Sequence, residues 1–146
     1  MAHEDLKKRV LGEMTVDHRG ALERNFELAK KHVKITQDGK VELIHKDRMG
    51  GKPQIVMYMI GKLYAKEAGL AEAEDVGNEE LTTELGIPGG SLRPWLAELR
   101  KENKVRAAKR GRYTYHAVQL HVVEKELRAV DVLIQGARGE EHGHIA

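Results

Sequence analysis

Residues 78–118 read NEELTTELGIPGGSLRPWLAELRKENKVRAAKRGRYTYHAV, and this stretch decides the fold. Asn78 is placed to cap a first short helix, with Glu79 and Glu80 at its positive end. Leu81 and Leu85, four apart, share its inner face. Gly86 suits the left-handed conformation that ends a helix, Pro88 cannot continue one, and Ile87 packs in the elbow between two helices. Ser91 is a favoured N-cap for a second helix, with Pro94 in its first turn, where a missing N–H loses no bond. Leu92, Leu96 and Leu99 recur at i, i+4 and i+7 as a buried stripe, with Trp95 beside it. Arg93, Pro94, Ala97, Arg100, Lys101 and Lys104 then fall mostly away from the stripe, and Asn103 tolerates the end of the helix. Residues 105–109 and 112–116 flank Lys109-Arg110-Gly111-Arg112 and form a hairpin with a basic tip. From Ala117 onward, Leu120, Val123, Leu127, Val130 and Ile134 carry the spacing of another amphipathic helix.

On Leu81, Leu85, Gly86, Ile87, Ser91, Leu92, Leu96, Leu99 and the 105–116 hairpin, the chain resembles a winged helix-turn-helix domain. With the helix that precedes them, the likeness covers roughly 53–130. The whole chain is similar to small archaeal winged-helix proteins, a likeness that implies no activity. The resemblance implies that the second helix is the recognition helix and the hairpin a wing. Its DNA-facing residues are then Gly90, Ser91, Arg93, Pro94 and Arg100, with Arg110 and Arg112 on the wing.

Charge adds Lys101, Lys104 and Lys109 to that set. Over 91–112, eight Lys and Arg face only Glu98 and Glu102, a local charge of +6, whereas 66–90 carries −6. A basic face beside an acidic one orients a protein on a polyanion. The whole chain of 146 residues is only +2. Its composition, 40% hydrophobic and 33% charged, is that of an ordinary globular protein, with no apolar run long enough to span a bilayer. The start of the chain (His3, Glu4, Asp5, Lys7, Lys8, Arg9) shows no secretory apolar region. The absence of cysteine excludes disulfides and thiol chemistry and suits a reducing cytoplasm.

Toward the N-terminus, Leu6, Val10 and Met14 lie four apart and allow a helix, and Leu22, Phe26 and Ala29 follow at helical spacing. From Val33 to Leu43, apolar and polar residues alternate on both sides of Asp38-Gly39, the signature of a hairpin. Its apolar side needs cover from the 22–31 helix, the winged helix or a second subunit. Arg48–Pro53 is a Gly-Gly-Pro loop and candidate hinge. Gln54–Ala68 is apolar over most of its circumference and reads as a buried central helix, followed by an acidic loop over 68–77.

Catalytic and metal chemistry find little footing. His116 and His121 are five apart, not the four of a helical ligand pair, and His142 and His144 sit in a Gly-rich tail. Gly86-x-x-Gly89-Gly90 lacks the Lys-Ser/Thr that grips phosphates. Trp95, Tyr113 and Tyr115 read as half-buried core, not as a stacking platform.

The expectation is a mostly α chain with small β (α+β), a winged helix-turn-helix with an N-terminal helix and β-hairpin extension. Residues 1–20 form a flexible arm or short helix and 21–50 the extension. Residues 51–134 form the winged domain with its C-terminal helix, and 135–146 a disordered tail. The expected function is double-stranded DNA binding, sequence-specific or semi-specific, by a cytoplasmic homodimeric transcription regulator without enzymatic activity, metal or cofactor. The alternative is a winged-helix protein-interaction module that does not bind DNA.

Overall fold

The computed structural model describes residues 2–14 and 18–145, with residues 137–145 as backbone. Its N-terminal part comprises α1 (Ala2–Arg9), extended by a π-helical turn over Val10–Met14, then α2 (His18–Arg24) and α3 (Phe26–Ala29). A hairpin of β1 (Val33–Ile35) and β2 (Val41–Leu43) precedes α4 (Gly51–Glu67). After these come β3 (Val76–Gly77), α5 (Asn78–Leu85), α6 (Gly89–Lys101), β4 (Val105–Arg110), β5 (Tyr113–Val118) and α7 (Val123–Ile145). The chain is α+β, its two small sheets antiparallel: β1-β2, and a three-stranded sheet in the order β3-β5-β4.

The core is built around α4. Six consecutive residues, Ile55 to Ile60, are buried, as are Leu63 and Ala65. A helix that buries every side needs partners on every side. It has them: the β1-β2 hairpin, α5, α6, β5 and α7 all pack against it. One hydrophobic cluster runs from Leu22 to Ile134 through it, so the extension and the helical region after it share a core. The hairpin's cover is thus α4 itself. A Cβ at Gly61 would strike Val41 and come within 2.8 Å of Val33 Cγ1, so glycine here lets the strands approach the helix. The hairpin turns through a three-residue loop, with Gly39 at φ +86 as its left-handed residue.

Polar clamps fix the N-terminal helices. The Tyr64 hydroxyl donates to the Leu22 carbonyl at 2.7 Å, and burial pushes its pKa up to about 12, so it remains a donor. Arg19 pairs with Glu67 at 2.9 Å. Leu22 and Ala29 are buried, but Phe26, expected beside them, is 50% exposed. His32 is buried and donates from Nε2 to Asp131 Oδ1 at 3.1 Å, tying the start of β1 to α7.

Several local expectations shift. Asn78 is the first residue of α5 and makes no side-chain cap; Gly77 occupies that position. Ser91 is likewise no cap, because α6 begins two residues earlier, after extended Pro88, whose carbonyl accepts the Ser91 and Leu92 amides at 3.0 and 2.9 Å. Pro94 therefore lies in the helix interior, on its exposed side, where it has no N–H to donate to the Gly90 carbonyl. The helix ends on Asn103 at φ +60, with the Lys104 amide donating to Leu99 and the Asn103 amide to Arg100, a Schellman closure. Ala117 and Val118 belong to β5, and α7 starts only at Val123. It runs as helical backbone to Ile145, through the stretch read as a disordered tail, where Gln135, Ala137 and Arg138 are good helix formers. The side chains of His142 and His144 lie outside the described residues.

Gly61→Leu is expected to destabilise the fold by about 2 kcal/mol or more, because the added side chain must displace Val33 and Val41. A lowered urea midpoint at unchanged slope will report this; an unchanged midpoint would mean that the hairpin is not seated on α4.

Candidate nucleic-acid interface

The β4-β5 hairpin sorts its side chains by strand alternation. The register pairs Ala107 with His116 and Lys109 with Thr114, and these four share one face. Arg106, Ala108, Arg110, Tyr113 and Tyr115 share the other. Gly111, at φ +64, supplies the positive φ that a two-residue hairpin loop needs at its first position.

The first face looks onto α6. Between them lies a groove of about 450 Å³, lined by Arg93, Leu96 and Arg100 from the helix and by Ala107, Lys109, Thr114 and His116 from the hairpin, with Asn78 beside them. Leu92, Leu96 and Leu99 are buried, which turns Arg93, Pro94, Ala97, Arg100 and Lys101 outward; all five are exposed. Arg93 and Arg100, seven apart, stand on one helix face. Among the described residues, Arg93, Arg100, Lys101, Lys109 and Arg112 make no ion pair.

The opposite hairpin face behaves differently. Pairing of β3 with β5 brings the acidic residues just before Val76 alongside it. Arg106 pairs with Glu74 at 2.6 Å and Arg110 with Asp75 at 3.0 Å, while the Arg110 guanidinium also lies 4.1 Å from the Tyr115 ring centre. The acidic loop thus neutralises two of the hairpin's arginines. β3 is absent from the sequence reading; its one visible signal is Val76, an aliphatic residue placed in the acidic loop and fully buried.

The proposed contact residues therefore divide. Arg93, Arg100 and Lys109 come together in one groove. Lys101 is exposed nearby on α6, and Arg112 sits in the hairpin turn beside Tyr113. Gly90 lies in the first turn of α6 with open space around its Cα. Ser91 is half-buried within the helix, and Pro94 is exposed. Arg110 is engaged with Asp75. Lys104 is directed toward α7, paired with Glu126 at 3.0 Å and Glu102 at 3.2 Å, and these partners raise its pKa, Glu126 most. Trp95 is no base platform: its ring lies against Gly51, where a Cβ would collide with it, so it joins α6 to the start of α4.

Sequence reasoning missed the pair beneath the groove. His116 is buried, and its Nε2 donates to Asn78 Oδ1 at 2.9 Å, joining β5 to the start of α5. Its Nδ1 has no partner. Burial, and to a lesser degree the Arg100 charge, lower its pKa, so the ring is neutral. Among the described residues no group of three or more potential ligands could hold a metal ion.

For both buried histidines, His32 and His116, the folded state holds the ring below its ordinary value of 6.5. The stability that their neutral forms provide is complete above that value and declines as pH falls through it, because the unfolded chain takes up protons first. Thermal melts between about pH 7 and 5 are expected to show this decline, with a shallower slope in His116→Gln, which retains a donor for Asn78. An equal slope in the variant would show that His116 does not titrate on unfolding. Comparison of the chain with protein-family models, curated proteins and solved structures returns no match.

Proposed function

We propose that this protein is a winged helix-turn-helix protein that binds duplex DNA through α6 and the β4-β5 hairpin and acts in transcription regulation. The element order supports the fold reading: a buried helix, a short strand, two helices joined at a tight turn, then a hairpin whose second strand is central in the sheet. The observation that carries the function is the convergence of Arg93, Arg100 and Lys109 on one groove without a carboxylate partner among the described residues. Nearby cations repel one another unless an anion joins them, and a phosphodiester backbone supplies such anions at regular spacing.

The outward strip of α6 is Gly90, Arg93, Pro94, Ala97, Arg100 and Lys101. Two arginines can make bidentate contacts to guanine or to phosphate, whereas glycine, proline and alanine read no base edge by hydrogen bonding. Gly89 and Gly90 open the leading end of the helix to close approach by a sugar-phosphate strand. Backbone contacts thus outweigh base contacts, and the specificity is semi-specific.

Fluorescence-anisotropy titration of duplex DNA over a salt series tests this. With five unpaired cations, the log–log salt slope is expected to reach about −4.5. Arg93→Ala with Arg100→Ala should weaken binding to every duplex and flatten the slope by about 2 units. Arg106→Ala with Arg110→Ala should flatten it by less than about 1, because those guanidinia already face Glu74 and Asp75. Absence of wild-type binding at low salt would leave the region as a protein-interaction module.

A further inference from the structure

α1 and its π-helical extension are anomalous on physical grounds. Each residue from His3 to Met14 whose side chain is described is exposed, Leu6 at 60% and Met14 at 77%. A helix this short is marginal in water unless a face is covered. Leu6, Val10 and Met14 follow at four-residue steps and provide such a face. Lys7 and Lys8 lie alongside without an ion pair among the described residues.

The same chain carries a complementary surface. A groove of about 520 Å³, mostly apolar, is lined by Leu22, Phe26, Ile35 and Tyr64, with Arg19, Glu23 and Glu67 at its edge and Lys30 Nζ 5.6 Å from the Phe26 ring centre. Phe26, half-exposed there, is the large aromatic that the sequence pattern assigns to the core. Glu67 is engaged by Arg19, but Glu23 has no ion-pair partner among the described residues. An apolar groove with a free carboxylate fits an apolar helix flanked by free lysines.

We propose that α1 of one copy occupies the Phe26 groove of a second copy, and that the second copy's α1 returns the contact, forming a two-fold dimer. Exchange engages both stripes and both grooves, so the area buried by one helix in one groove is doubled toward the ~1,200–2,000 Å² of stable interfaces. Lys7 and Lys8 approach Glu23 in the same seating. The inference depends on no part of the nucleic-acid reading.

Two measurements on the full chain test it. Sedimentation equilibrium is expected to give twice the 16.4 kDa chain mass. Val10→Asp and Phe26→Asp should each raise the dimer dissociation constant about a hundredfold, since each buries an unpaired carboxylate. Both positions are exposed in the single chain, so each variant should melt cooperatively at the temperature of the wild type diluted to monomer, losing only the helicity that α1 gains on pairing. The chain has no cysteine, so Val10→Cys and Phe26→Cys add single thiols. Mixing these two variants with a short bismaleimide should yield a covalent dimer of one chain of each. A monomer at every concentration, a dimer insensitive to both aspartates, or cross-linking only within one chain carrying both cysteines would each overturn the proposal.

Discussion

The structure depends on the burial of α4 from all sides. A helix with one apolar stripe can lie on a surface, but Ile55 through Ile60 leave no side for water. Each neighbour then has a defined task. The β1-β2 hairpin closes the Gly61 side, Trp95 closes the start at Gly51, and α7 adds Val123, Leu127, Val130 and Ile134. Because α6 spends Leu92, Leu96 and Leu99 on this core, its opposite face is forced outward with Arg93 and Arg100 on it. The charged surface is thus a consequence of packing as much as of charge.

A second constraint sorts the cations. β3 is two residues long, yet its pairing with β5 delivers Glu74 and Asp75 to one face of the hairpin. That face is neutralised, and the face toward α6 is not. Exposed ion pairs contribute only about 0–1 kcal/mol each. Their main effect is therefore on the potential: the positive field is weakened on the Glu74–Asp75 face and remains on the groove side and at Arg112 in the turn.

Regular periodicity was legible in the sequence. The leucines of α5 and α6, the left-handed Gly86 and Asn103, the Asp38-Gly39 hairpin and the apolar α4 all follow from spacing and backbone preference. Features set by tertiary contact were not. Asn78 has the chemistry of a cap, but its carbonyl oxygen is taken by His116, thirty-eight positions away. Ser91 lost its expected role because extended Pro88, its φ fixed by the ring and followed by two unhindered glycines, starts the helix earlier. Arg110 and Lys104 looked like free cations because their partners, Asp75 and Glu126, lie outside any local window. In the candidate site, spacing identified the α6 residues, whereas strand pairing decided which hairpin cations remain available.

The geometry of α4 also separates the two surfaces. Trp95, on the α6 side, meets its first residue, Gly51, while the Phe26 groove is built on Tyr64 and Ala68 at its far end. Seventeen helical residues span about 25 Å. The packing of α6 at Trp95 and the Phe26 groove therefore lie at opposite ends of α4, and the polar link between the N-terminal helices and the hairpin runs instead through Glu74, which pairs with Arg106 at 2.6 Å and lies 3.9 Å from His18 Nε2.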